Sequence, residues 1–332
     1  MNEIPRFSRR RVVVTALVSG VASWGGLPGL AHAQAFPNRP IKLLVPVAAG
    51  GGTDLIARVV ADALSRSMGQ TWVVQNQSGA GGQIASQATA LAAADGYNLM
   101  LGYVSTHGTL PALRKLPYDT QKDFSYIGMI GGAPNVLIAN ATGGPQSFQQ
   151  FLSDVRAHPG KASFGSAGLG TITHLVFERL KAATNTSILH VPYRGVAPLM
   201  NDLLASQIQY AMPGLAGALS HIRSGKVTAL VVTGPRRHPL LPEVPTLKEL
   251  GLPDFEAVQW VGIMGPAGIP ADVSQKLTAS LNEVLKQKEL AEKLTSEGIE
   301  IMPMSVEAFR AYVAADFVRW RDVVKKGDIK EQ

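Results

Sequence analysis

The sequence predicts an α/β protein built as two lobes. Three observations predict it. Apolar runs of strand length alternate with segments whose apolar residues recur at helical spacing, along nearly the whole chain. The strands repeatedly end in clusters of Gly, Ser and Thr that open a helix or turn. The length, 332 residues, exceeds what one core usually encloses, and 46% hydrophobic with 17% charged residues describes a globular chain. Strands alternating with helices imply βαβ units, right-handed crossovers and a parallel sheet, and ligands of such sheets sit beyond the strands' carboxyl ends.

The first 33 residues form a separate object. Ser8-Arg9-Arg10-Arg11-Val12-Val13 is a twin-arginine pattern, an apolar stretch follows, and Ala31-His32-Ala33 is a small-x-small cleavage site. We expect cleavage after Ala33 and export to the periplasm by the Tat or the Sec route. Trp24, Gly25, Gly26, Pro28 and Gly29 interrupt the stretch short of the roughly 20 apolar residues a membrane span needs. Removing this leader takes away four arginines and one glutamate, which leaves 27 basic and 23 acidic residues. That mild, scattered balance lacks the concentrated stripe nucleic acid demands, so no nucleic-acid partner is expected. With no cysteine, the chain excludes disulfides, thiolate metal sites and a cysteine nucleophile.

The mature chain opens with a strand over 41–47, three glycines (Gly50, Gly51, Gly52) and a helix whose face carries Leu55, Val59, Ala63 and Leu64. Thr53 or Asp54 is the expected N-cap. The glycines fit an anion site at a helix start or a bare turn chosen for positive φ, and both readings stay open. A strand over 71–75 leads to the turn 76–82 and a helix over 84–94. A third strand, 98–103, runs into Ser105-Thr106-His107-Gly108. Strand-like runs at 127–132 and 136–139 flank Gly131-Gly132-Ala133-Pro134.

A second set of units follows: helix 148–156, strand 162–165, the small-residue turn 166–171, helix 173–183, and strand 188–191 closed by Pro192-Tyr193-Arg194-Gly195. Helix 198–204 and strands 208–212 and 227–233 complete it. A proline- and base-rich loop, 235–245, precedes a return strand over 255–264. Helices over 271–286 and 289–296, a strand at 299–302 and a last helix begun at Ser305 end the chain. We expect one lobe from 34–132 and 256–332, the other from 133–255, with crossings near 131–134 and 255–264.

Enzyme motifs fail. Gly79-Ala80-Gly81-Gly82-Gln83-Ile84 lacks the third glycine of the dinucleotide fingerprint, and Gly225-Lys226 is followed by Val227 and not by Ser or Thr. Phe164, two residues before Ser166, excludes a G-x-S-x-G elbow. The histidines show no zinc spacing, so neither a metal nor another cofactor is expected, and no catalytic residue is assigned. His174, one turn into a helix, is read as a structural hydrogen-bonding group. Arg236, Arg237 and His238 are read as a solvated loop, with permease docking as the alternative.

Several segments carry a family resemblance. They are Pro40-Ile41 through Val45-Pro46, Ala49-Gly50-Gly51 through Asp54, Ala57-Arg58, Gly69-Gln70, Gly79-Ala80-Gly81-Gly82, Ala94-Asp95-Gly96-Tyr97 and Leu116-Pro117-Tyr118-Asp119. Asp123-Phe124, His190-Val191-Pro192-Tyr193-Arg194-Gly195, Leu241-Pro242-Glu243-Val244-Pro245-Thr246 and Gly265-Pro266-Ala267-Gly268 continue the series. In this order they resemble the periplasmic solute-binding component of tripartite tricarboxylate transporters, the Bordetella uptake gene family.

The resemblance implies a two-lobed, hinge-closing binding protein of the type II, Venus-flytrap kind, each lobe a mainly parallel sheet flanked by helices. It implies a monomer that delivers a small di- or tricarboxylate, or an aromatic carboxylate, to membrane permease subunits. Partnership with a sensor kinase and an exported hydrolase are the alternatives. Carried over residue by residue, the implied ligand contacts are Ala49, Gly51, Gly52 and Thr53, then Ser78 and Gly81, then Ser105 and His107. The second lobe adds Ser166, Gly170, Thr171, Tyr193 and Gly195. Where many relatives read Phe-Asp-Asn, this chain reads Met212-Pro213-Gly214, which disfavours an amino-acid ligand. Arg194 is read as either a solvated side chain or a carboxylate clamp.

Overall fold

The computed structural model describes residues 36–252, 255–327 and 329, so the expected leader lies outside the described residues. In chain order the strands begin with β1 (Ile41–Val45), β2 (Trp72–Asn76), β3 (Asn98–Tyr103), β4 (Phe124–Pro134), β5 (Val136–Asn140) and β6 (Ser163–Ser166). They continue with β7 (Leu189–Pro192), β8 (Tyr210–Ala211), β9 (Val227–Val232), β10 (Val258–Pro266) and β11 (Glu300–Ile301). The helices are α1 (Gly52–Met68), α2 (Gln83–Ala90), α3 (Leu110–Leu113), α4 (Phe148–Ala157) and α5 (Ile172–Thr184). Then come α6 (Val196–Leu204), α7 (Leu219–Arg223), α8 (Ala271–Leu285), α9 (Lys288–Ser296) and α10 (Val306–Lys326).

The strands make two sheets, ordered β11-β4-β10-β3-β1-β2 and β7-β6-β8-β5-β9, with helices flanking both. The two-lobed α/β architecture is therefore present, but the mainly parallel pairing is corrected. In the first sheet β1 is parallel to β2 and β3, whereas β10 runs antiparallel to β3 and β4, and β11 antiparallel to β4. In the second, β6 is parallel to β7 and β8, while β5 is antiparallel to β8 and β9. A parallel neighbour needs a crossover, usually a helix. Strand β10 instead arrives through 233–257 from the other sheet, and β4 reaches β5 across the single residue Asn135.

Those two passages between sheets are tied together. The Asn135 amide donates to Thr233 Oγ1 at 2.9 Å, and that hydroxyl donates to the Ala257 carbonyl at 2.7 Å. The Asn135 side chain donates to the Met212 carbonyl at 2.9 Å. Asn135 and Thr233 are both buried, so each bond replaces water that the groups have lost.

Helix spacing decides the cores. On α1 the buried residues include Ile56, Val60 and Leu64, one stripe at helical spacing. In the first lobe Trp260 donates its indole N–H to Asp316 Oδ2 at 2.8 Å, and Tyr126 meets Phe309 edge-on at 5.1 Å. In the second, Phe164 stacks on Phe177 at 3.9 Å. Ser305 caps α10 as expected, its hydroxyl accepting from the Ala308 amide at 3.1 Å. In the loop after β9 Arg236 and Arg237 are exposed, as expected, and of the three His238 alone is buried. Arg236 pairs with Glu300 and Arg237 with Glu249, and His238 is buried, its Nδ1 accepting from the Leu240 amide.

Candidate functional site

A cavity of about 260 Å³ lies between the two lobes. From the first lobe it takes Pro46 and Val47 after β1, residues 78–82 after β2, Tyr103 at the end of β3, and Arg114 just past α3. From the second it takes residues 167–169 after β6 and 192–194 at the end of β7. Nearly every wall is a loop at the carboxyl end of a parallel strand, where an open α/β sheet leaves room for a ligand. The lips meet at two glycines, and a Cβ on Gly81 would stand 3.0 Å from the Leu169 carbonyl oxygen of the facing loop. Gly81 (φ +68) and Gly168 (φ +132) sit in backbone conformations that L side chains rarely adopt, and a Cβ on Gly168 would stand 3.7 Å from the Gly81 Cα.

Among the described residues the walls carry two arginines and no carboxylate. Arg114 donates to the Ala80 carbonyl at 3.1 Å, which holds its guanidinium at the rim. Arg194 is exposed and makes no ion pair among the described residues. Tyr103 donates to the Gly81 carbonyl at 3.2 Å, and burial pushes its phenol up to about 12. Tyr193 donates to Asp202 Oδ2 at 2.7 Å, and its phenol is raised to about 12 by desolvation together with that carboxylate. The tyrosines are thus neutral and their protons are spoken for. They offer ring faces and an acceptor oxygen, while the positive charge comes from arginine.

The expected contacts divide into three groups. Ser78, Gly81 and Tyr193 line the cavity. Ser105, Ser166, Gly170 and Thr171 stand behind its walls. Ser105 Oγ accepts from the Ile172 amide at 3.1 Å and Thr109 Oγ1 donates to the Gly170 carbonyl at 2.7 Å, both bonds crossing between lobes. Thr171 donates to the Gly168 carbonyl at 2.7 Å and so shapes the wall from behind. The rest lie elsewhere. Ala49 is exposed at the first loop, and a Cβ on Gly195 would meet the Ala48 nitrogen at 3.3 Å. Gly51 and Gly52 face α6 and residues 216–217 of the second lobe. Thr53 accepts from Gln259 Nε2 at 3.2 Å.

His107 is fully buried away from the cavity. It sits in a π-type turn over Ser105–Thr109, with its ring edge against Phe124 at 4.7 Å and Nδ1 paired with Thr106 Oγ1 at 2.8 Å. Desolvation lowers it to about 3, so it is neutral.

The first glycine loop is closed on its own carboxylate. Gly51, and neither Thr53 nor Asp54, is the N-cap of α1. Asp54 accepts from the Gly50 amide at 2.9 Å, Asn76 Nδ2 at 2.8 Å and Arg58 Nε at 3.0 Å. Burial alone would raise its carboxyl, but these bonds outweigh burial and hold it below the usual range. A bound anion at this helix start would face Asp54, which favours the turn reading.

One pair has catalytic distance without catalytic access. Ser166 Oγ lies 2.6 Å from His190 Nε2, and the His190 ring stacks on His174 at 4.1 Å. Desolvation lowers His190 to about 3 and His174 to about 4, which leaves both poor bases at neutral pH. Ser166 is fully buried, and its Oγ also accepts from the Gly168 amide at 3.2 Å. His174 Nδ1 accepts from the Gly170 amide at 3.2 Å, the structural role read from sequence. Together they form a scaffold for the 166–170 wall. Among the described residues, no group of three or more His, Asp or Glu could hold a metal ion, and no helix is long and apolar enough to cross a membrane.

Sequence reasoning missed Arg114 and Tyr103. Tyr103 ends β3, whose carboxyl end opens on the same sheet edge as the loop 78–82, with β1 between the two strands.

The family model described as the tripartite tricarboxylate transporter family receptor matches residues 56–329. The chain is 34% identical over 317 residues to protein BugT of Bordetella pertussis, covering 95% of this chain and 97% of that protein. It is similar to the solved periplasmic binding protein BugD, with TM-score 0.86 and 35% identity over 90% of this chain and 100% of that one. An R. palustris protein solved with adipate gives TM-score 0.86 at 32% identity, covering 89% of this chain and 99% of the other.

Proposed function

Because the chain belongs to the tripartite tricarboxylate transporter receptor family, we propose that it captures a small carboxylate between its lobes and delivers it to the permease subunits of such a transporter. The carrying observation is the interlobe cavity, walled by strand-end loops and holding, among the described residues, two arginines and no acidic side chain. A site with that charge balance attracts an anion and repels a cation. The adipate bound by the R. palustris relative supports a carboxylate.

Capture works by closure. The lobes move about the tied passages at Asn135 and Thr233, and a ligand touching both walls shifts the population toward closed. Each hydrogen bond to a charged acceptor contributes roughly 1.5–3 kcal/mol. Several of them, less the entropy of ordering two lobes, give affinity in the micromolar range. The Ser78 hydroxyl and the Gly81 amide, both at the cavity, are the donors we assign to the first carboxylate.

No turnover accompanies binding, because the buried Ser166 cannot reach a substrate and His190 cannot take its proton. The protein works in the periplasm as a monomer, after removal of residues 1–33. A thermal-shift screen against mono-, di- and tricarboxylates, aromatic ones included, tests this reading. A bound ligand raises the melting temperature by mass action. A hit that also gives a saturable calorimetric titration supports the reading. A flat response to every carboxylate contradicts it.

A further inference from the structure

We propose that a second cavity, built on the passages between the two sheets, binds a small protonated amine with an apolar body. The inference is independent of which ligand the interlobe cavity takes. The second cavity has a volume of about 420 Å³, within the range of small-molecule sites. Among the described residues it shares no lining residue with the first. Its walls come from both passages. Residues 132–134 end β4, Gly234 and Pro235 follow β9, and Glu256 and Val258 lie where the chain returns into β10. Met302 after β11 and Tyr312 on α10 complete it from the first lobe. Small-molecule sites concentrate at such boundaries between domains.

The charge around this cavity sets the sign of its ligand. Among the described residues three charged side chains line it, Arg236, Glu256 and Glu300. Arg236 and Glu300 satisfy each other at 3.2 Å. Glu256 is exposed, and its carboxylate makes neither an ion pair nor a hydrogen bond among the described residues. One negative charge is therefore left over. His238 does not offset it, because desolvation lowers its ring and Nδ1 already accepts from the Leu240 amide. Tyr312 feels the same carboxylate: desolvation raises its phenol to about 12, and the charges of Asp316 and Glu256 add to the rise. Its hydroxyl makes no hydrogen bond among the described residues, and its ring meets Trp260 edge-on at 6.3 Å. An ammonium at the mouth thus finds a carboxylate, a phenol oxygen and an aromatic ring. An apolar body behind it covers Ala133, Pro134, Val258 and Met302 and takes them out of water. A carboxylate at the same point is repelled by Glu256, so the cargo proposed for the interlobe cavity has no place here.

The test is calorimetric titration of the protein with benzylamine, phenethylamine and cyclohexylmethylamine, each compared with the alcohol of the same skeleton. The alcohol keeps shape and hydrogen bonding and removes the charge. The proposal expects the best amine to bind at least about fivefold tighter than its alcohol, the combined effect of an ion pair near the surface and a cation–aromatic contact. In Glu256→Gln the ratio should fall below about twofold with the alcohol nearly unchanged. Met302→Trp, which fills the cavity, should remove amine and alcohol alike. Glu256 is exposed, so its replacement leaves folding intact, and an unchanged melting curve verifies that. If Met302→Trp melts early, a crystal soaked with benzylamine takes its place, and the ammonium must lie against Glu256. No binding by any amine, or equal binding of amine and alcohol, overturns the proposal. So does an amine preference that survives Glu256→Gln, binding that survives a folded Met302→Trp, or a soaked amine seated elsewhere. None of these outcomes bears on carboxylate capture.

Discussion

Gly52 and Gly217 meet backbone to backbone across the interlobe gap: a Cβ placed on Gly52 would lie 2.6 Å from the Gly217 nitrogen and 2.8 Å from the Ala216 carbonyl carbon. Neither atom can rotate aside, so the approach of the lobes at this point requires glycine on α1. Gly52 is the first helical residue of α1, where alanine is well tolerated by the helix itself. Gly52→Ala should therefore spare the first lobe and obstruct closure. Overpacking of this kind costs about 1–3 kcal/mol. We expect carboxylate affinity to fall roughly five- to hundredfold with little change in the melting temperature of the unliganded protein. Unchanged affinity would remove this contact from the closure mechanism.

Ser105 and the Ile172 amide make a second contact between lobes. Ile172 is the first residue of α5 and is buried, so its amide has no water to turn to. Ser105→Ala leaves that donor unsatisfied at a cost of about 1–3 kcal/mol. The loss should appear as weaker ligand binding if the bond forms on closure, and as lower stability in urea if it persists in the open form. Titration and denaturation of the same variant distinguish the two, and no effect on either would contradict the geometry.

The placement of these contacts shows where sequence is informative. Ser78, Gly81 and Tyr193, which the family resemblance picked, line the cavity, and each follows a strand in a loop rich in small residues. His107 follows a strand in the same way and yet turns inward. A π-type turn rotates it onto Phe124, and nothing local distinguishes that from an outward turn. Gly51 and Gly52 read as a ligand loop, but their neighbours are α6 and residues 216–217 of the other lobe, which local pattern cannot place. Arg114 comes from the end of a short helix and not from a strand end, so a search along strand ends passes over it. The two sheets were visible as alternation. The antiparallel insertion of β10 between β3 and β4 was not, because pairing partners lie far apart in the chain.

Asp54 should be a structural residue. Its three partners, the Gly50 amide, Asn76 and Arg58, hold the first loop against β2. Arg58 is half exposed, so its share is screened. Asp54→Ala should lower unfolding stability by roughly 2–3 kcal/mol, nearer one charged hydrogen bond than three. The carboxyl is held below its ordinary value, so its contribution is present at neutral pH and is lost as acid protonates it. A loss below about 0.5 kcal/mol in urea denaturation would contradict this role.

Mild acid should destabilise the protein through its histidines. His107, His174 and His190 are lowered to about 3, 4 and 3 by desolvation, His174 also by Lys181, and His190 also by His174 and Lys181. Unfolded, each would titrate near 6.5. Between that value and the folded one the unfolded chain binds more protons, so stability rises with pH. It is fully present above about pH 6.5 and is lost as pH falls toward 4. Each such histidine contributes a slope approaching ~1.4 kcal/mol per pH unit. Urea midpoints measured from about pH 7 to about pH 5 should fall steadily, and less in His174→Gln. Midpoints that stay flat would contradict the buried neutral state.

The most direct measurement is a crystal structure of the protein with a saturating dicarboxylate. The account predicts one ligand carboxylate at the Ser78 hydroxyl and the Gly81 amide, walled on the far side by residues 167–169, with both lobes in contact. A ligand seated outside the interlobe cavity, or touching one lobe alone, would contradict it.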